Sequence, residues 1–109
     1  MRRPAGFSWD DRKYLRNLQL HKVPFEVAAL AFDDPDRLIE YDDRPFGYDE
    51  DRYYLIGNAD GILLYVAHTY IAVGGEGDDK DDLITHLISA RKAERSERDE
   101  YERNKAERL

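Results

Sequence analysis

The chain contains no cysteine, which excludes disulfides and thiolate metal sites and suits a reducing cytosol. Its apolar runs are all far shorter than the roughly 20 residues a membrane-spanning helix needs, so a cytoplasmic protein without membrane attachment is expected. The start, Met1-Arg2-Arg3-Pro4, has no apolar stretch behind it and does not read as a signal peptide. There is no phosphate-cradling glycine loop, because Gly74-Gly75-Glu76-Gly77 is followed by acids that repel phosphate. His21, His68 and His86 lie far apart and lack metal-ligand spacing, and no serine sits in a nucleophile elbow. Neither a metal nor a cofactor is expected. Internal repeats are also missing.

An excess of positive charge is missing as well. The net charge is −7, which by itself argues against a nucleic-acid surface. The charge is unevenly spread, however. Arg2, Arg3, Arg12, Lys13, Arg16 and Lys22 make the first segment basic, while acids crowd 33–36, 49–51 and 76–82. A locally basic face on an acidic protein is therefore compatible with the sequence.

With 109 residues, one domain spanning 1–109 is expected, burying roughly 65% of its unfolded surface in a modest core. The organising stretch is 83–91, Leu-Ile-Thr-His-Leu-Ile-Ser-Ala-Arg. Leu83 and Leu87 fall on one side of a strand, and Ile84, Ile88 and Ala90 on the other. A strand apolar on both faces belongs in the interior of a sheet.

The other segments arrange themselves around it. Phe7 and Trp9 alternate in a short candidate edge strand, and Asp10 stands where a helix N-cap belongs. A helix over 11–21 follows, with Leu15, Leu18 and Tyr14 as its apolar face, and Val23-Pro24 stops it. Pro24 then suits the start of a second, nearly all-apolar helix over 25–32. Strands are expected over 37–42, 52–58 and 62–73, with a loop over 43–51 and a hairpin turn at Asn58-Ala59-Asp60-Gly61. An acidic glycine-rich loop over 74–82 returns the chain to the organising strand. The class is α+β: an antiparallel meander, two N-terminal helices packed on one face, and a charged C-terminal helix over 92–109.

That last helix has few apolar residues but carries opposite-charge pairs such as Glu94 with Arg98. It reads as a solvated helix, or as one that turns Tyr101 and the Arg91, Lys92, Arg95 cluster to a ligand. Lys13, Asn17 and His21, spaced four apart, share one stripe of the first helix. Such a stripe is either plain solvated surface or a grip on phosphate with an acid or base beside it. Arg52 follows Asp49-Glu50-Asp51 and has a surface ion pair as its simplest role. His86 lies among the apolar residues of the organising strand, either as a satisfied buried histidine or pointing into a cleft.

Four runs together resemble one family. They are Phe7-x-Trp9-Asp10-x-x-Lys13-x-x-x-Asn17-x-x-x-His21-x-Val23-x-Phe25; Ala28 with Phe32-Asp33-Asp34-Pro35; Glu50-Asp51-Arg52 with Gly57; and Ile88-Ser89-Ala90-Arg91-Lys92-Ala93 with Glu97-Arg98 and Tyr101. They are similar to the BrnT family, the toxins of type II toxin–antitoxin pairs. The resemblance implies a RelE-like fold, metal-independent RNA cleavage that inhibits translation, and a cognate antitoxin, typically a ribbon-helix-helix protein that carries the pair to operator DNA. It implies catalytic roles for Lys13, His21, Arg52 and Arg91, and His86 is expected to join them as a catalytic residue. His86 stands where the family usually has an arginine, and Leu20 where it usually has a lysine. Arg12, Arg16, Asn17, Lys92 and Tyr101 are expected to contact RNA. The alternative function is a catalytically weakened relative that keeps an antitoxin-binding surface.

Overall fold

A computed structural model describes residues 3–45, 50–73 and 82–108. The expected acidic loop over 74–82, apart from Asp82, lies outside the described residues, as does part of the loop over 43–51. The order of elements is β1 (Phe7–Trp9), α1 (Asp11–His21), α2 (Phe25–Leu30), a 3₁₀ turn (Ala31–Asp33), β2 (Leu38–Asp42), β3 (Arg52–Ala59), β4 (Ile62–Val73), β5 (Asp82–Lys92) and α3 (Arg95–Glu107).

The described strands form one five-stranded sheet in the order β1-β5-β4-β3-β2. β2, β3, β4 and β5 pair antiparallel in chain order, but β1 joins the outer side of β5 in parallel, with Ser8 beside His86, which departs from the expected antiparallel meander. The sheet is therefore mixed. Alternation in three residues assigns faces but carries no strand direction, and direction here depends on where α1 and α2 return the chain.

Local signals set the boundaries. Asp10 caps α1 through its carboxylate, which accepts the Lys13 N–H at 3.0 Å. Lys22 closes that helix in the left-handed region, at φ 63°, and its N–H returns to Leu18. The β3–β4 turn has Asp60 and Gly61 at φ 52° and 91°, a two-residue hairpin that matches the twist of the strands.

One face of the sheet carries α1, α2 and the main core: Trp9, Val23, Phe25, Ala28, Ala31, Leu55, Leu64, Val66, Leu87 and Ala90. Gly57 lies under the 3₁₀ turn, where a Cβ would stand 2.7 Å from the Ala31 carbonyl oxygen, so only glycine permits this approach. On α1 the inward residues are Tyr14 and Asn17. Leu15 is 60% exposed, which corrects its expected place in the apolar face. Only a narrow stripe of α1 reaches the sheet, because the helix lies against the edge of β5 rather than flat on the face.

β5 is interior, between β4 and β1, but its faces differ from simple alternation. Ala67 pairs with Ser89 and His68 with Leu87, so Ile88 is an extra, bulged residue. The bulge reverses the phase, and Leu87 and Ala90 both enter the same core. Leu83, at the far end, is exposed.

α3 packs on the opposite face. Tyr101 is 5% exposed among Leu38, Ile56 and Ala93, so α3 is an anchored helix rather than a wholly solvated one. The Tyr101 hydroxyl donates to Asp34 Oδ2 at 2.8 Å. The Asp34 carboxylate also accepts the N–H groups of Asn58 (2.7 Å) and Asp36 (2.9 Å). Burial alone would raise the Asp34 carboxyl, yet these donors outweigh it and hold it below its ordinary range.

Candidate active site

The geometry begins with Asn17. It is 6% exposed and its amide grips both backbone groups of one residue: Nδ2 donates to the Ala90 carbonyl at 2.9 Å, and Oδ1 accepts the Ala90 N–H at 3.1 Å. The pairing of β1 with β5 stops at Leu87, so beyond it Asn17 supplies the hydrogen bonds that a neighbouring strand would have made. This pins α1 alongside the bulge and aims its polar stripe across the edge of β5.

The result is a hollow of about 270 Å³ lined by Lys13, Arg16, Asn17, Leu20, His21, Arg52, Ile88 and Ser89. Arg52, the first residue of β3, has a side chain only 12% exposed and an ion pair to Glu50 at 3.5 Å. A second hollow of about 410 Å³ shares Arg52 and Ser89 and continues past Asp42, Arg44, Tyr65, Arg91 and Glu97. The two hollows therefore adjoin at Arg52 and Ser89.

The second hollow is a lattice of charge-assisted contacts. Glu97 receives both guanidinium NH₂ groups of Arg91, at 2.8 and 2.7 Å, and Glu94 lies 3.3 Å from the same group. The Arg91 guanidinium stacks over Tyr65 at 4.3 Å from the ring centre, with Tyr54 stacked on Tyr65 at 5.2 Å. Arg44 donates to Asp42 at 2.8 Å and to the Tyr65 hydroxyl at 3.3 Å. The hydrogen bond from Arg44 holds the Asp42 carboxyl below its usual range despite burial. For Glu97, burial acts upward but Arg91 and the Glu94 N–H outweigh it, and the net shift is downward. The same pair holds the Arg91 guanidinium more firmly charged.

Among the residues expected from sequence, the fold thus gathers Lys13, Arg16, Asn17, His21 and Arg52 in one hollow and Arg91 in the adjoining one. Asn17 spends its amide on the backbone of β5, which makes it a positioning residue rather than an RNA ligand. Arg12 is exposed on α1 but lines neither hollow. His86 lines neither hollow; its Nδ1 lies 2.9 Å from the Ser8 Oγ, across the parallel β1–β5 pairing. Lys92 lines a different hollow, of about 530 Å³, between the β3–β4 turn and α3. That hollow is larger, but it contains neither Arg52 nor the α1 stripe. Tyr101, expected as an RNA contact, borders it too, with its ring buried and its hydroxyl committed to Asp34.

Sequence reasoning missed Arg44, Tyr65, Ser89 and Glu97 as site residues. Ser89 and Glu97 stand within the motif runs, and that was their available signal. Arg44 sits in a loop and Tyr65 mid-strand, with nothing local to mark them.

Chemically, the first hollow presents two cations from α1, a guanidinium from the sheet and an imidazole. Such an arrangement can hold a phosphodiester and move a proton beside it. Comparison with curated proteins gives no match. The model of the family described as the ribonuclease toxin, BrnT, of type II toxin–antitoxin systems matches residues 9–97, a stretch that takes in α1, the bulge of β5 and the first turn of α3. The chain therefore belongs to the BrnT family of ribonuclease toxins.

Proposed function

We propose that this chain is a metal-independent endoribonuclease that inhibits translation and is neutralised by a cognate antitoxin. The observation that carries it is the shared hollow of Lys13, His21 and Arg52, three groups from two distant segments. In this reading the His21 imidazole takes the proton of a ribose 2′-hydroxyl. The 2′-oxygen attacks the adjacent phosphorus, and the bond to the 5′-oxygen breaks. The Lys13 ammonium gives that leaving oxygen its proton, and a 2′,3′-cyclic phosphate and a 5′-hydroxyl result. Arg52 and Arg16 bind the non-bridging oxygens as their negative charge grows. RelE-like chemistry of this kind needs no metal.

The partner reading follows from the same face. An antitoxin with an acidic segment fits α1, where Arg12, Lys13 and Arg16 are exposed. A ribbon-helix-helix antitoxin would link the pair to operator DNA, with no DNA contact by this chain itself.

A second reading, an antitoxin-binding module with weakened catalysis, has one observation in its favour. Leu20, 71% exposed, places an apolar side chain within the cationic hollow, which suits a protein segment better than a phosphate chain. Expression with and without the partner, scoring growth and RNA integrity, separates the two. Cleavage of RNA by the purified protein in EDTA, lost in Arg52→Ala, supports the ribonuclease. Growth unaffected by the chain alone, with antitoxin binding retained, supports the module.

A further inference from the structure

We propose that Glu97, from the first turn of α3, is the residue that positions Arg91 for the ribonuclease reaction. The inference rests on the ribonuclease reading above and adds α3 to its machinery.

Arg91 is the only guanidinium among the described residues of β5. An unrestrained arginine samples many rotamers, and fixing it costs side-chain entropy. Here the cost is met by contacts in the guanidinium plane and on its face. Glu97 closes a two-bond fork with both terminal nitrogens, the Arg91 Nη1 also donates to the Lys92 carbonyl at 3.2 Å, and the flat face rests on Tyr65. Tyr65 is itself backed by Tyr54, whose hydroxyl donates to Glu100 of α3 at 2.8 Å. The guanidinium is therefore clamped between β4 and α3, in the hollow that shares Arg52 and Ser89 with the one lined by Lys13 and His21.

Two simpler roles for Glu97 are less consistent with these contacts. One is helix capping: Glu97 does accept the Glu94 N–H at 2.8 Å, closing a capping box. Capping uses one carboxylate oxygen, while the fork to Arg91 uses both. The other is general base. A useful base has a pKa near the working pH, and a carboxylate with three donors, held below its ordinary range, is a poor one.

Glu97→Gln separates the roles. Glutamine preserves the capping box, but its NH₂ faces a donor of Arg91 and breaks the fork. The expected result is a kcat for RNA cleavage reduced about ten- to a hundredfold, the factor one charge-assisted hydrogen bond carries. KM should stay within about threefold and the melting temperature should be unchanged, with Arg91→Ala adding nothing further in the double variant. Cleavage equal to or faster than wild type, or losses that multiply in the double variant, would overturn the proposal. A second readout is the signal of the Arg91 terminal NH₂ groups, the ones bonded to Glu97, in proton–nitrogen spectra, assigned with Arg91→Lys. Their exchange with water should quicken about tenfold in Glu97→Gln. If the wild type cleaves no RNA, the ribonuclease reading fails on that ground, and an unchanged Arg91 signal then separately refutes the positioning role.

Discussion

Asn17→Ala removes the side chain that completes β5. Its two short hydrogen bonds to Ala90, at 2.9 and 3.1 Å, are lost together with a longer one to the Val23 carbonyl at 3.5 Å, and the Ala90 N–H and carbonyl lose their partner. Each buried polar group left unsatisfied costs about 1–3 kcal/mol. The adjoining hollow allows water to reach this edge, so the lower half of the range applies to each group, a total of about 2–4 kcal/mol. For a domain of this size that corresponds to a melting temperature lower by roughly 10 °C. Asn17→Asp is expected to be at least as damaging, because it keeps the acceptor but sets a carboxylate oxygen against the Ala90 carbonyl. Thermal melts by circular dichroism give the magnitude, and hydrogen exchange at the Ala90 amide gives the mechanism. A shift below about 2 °C in Asn17→Ala, with Ala90 still protected, would refute the idea that a side chain substitutes for a strand here.

Three further outcomes follow from the structure. His68 is fully buried between the Val66 carbonyl and the Tyr70 hydroxyl, and burial lowers its pKa from 6.5 to about 4. The folded state thus binds this proton less readily than the unfolded chain, so stability is fully present above pH 6.5 and falls as pH drops towards 4, by about 3 kcal/mol in all. Urea titrations of wild type and His68→Gln between pH 7 and 4 should converge as the pH falls, and parallel curves would refute this. Gly57→Ala drives a methyl to 2.7 Å from a backbone oxygen and is expected to cost about 1–3 kcal/mol by denaturant unfolding, whereas an unchanged midpoint would show that the 3₁₀ turn yields freely. Reversing the charges of Arg12, Lys13 and Arg16 together should slow antitoxin association at least about tenfold at low salt, measured by stopped flow, and unchanged rates would move the interface away from α1.

What the sequence determined by itself was local. Asp10, Pro24 and the Asn58–Gly61 turn act through backbone chemistry confined to a few neighbours, so the start of α1, the start of α2 and the β3–β4 hairpin could all be read directly. The Lys13, Asn17, His21 stripe was legible for the same reason, since helical spacing alone aligns it. Tertiary structure decided how those pieces meet. The parallel seating of β1 depends on a strand more than seventy residues away and the bulge at Ile88 on β4, some twenty residues away, and the bulge overrode the alternation that assigned faces to β5. The same long-range docking turned Asn17 from a candidate ligand into a surrogate strand, buried Tyr101 on Asp34, and left His86 beside Ser8 instead of in either hollow. It also brought Glu97 to Arg91. A charged pair six residues apart on either side of a strand–helix junction has no periodicity to announce it, and only the packing of α3 on the sheet makes the two side chains meet.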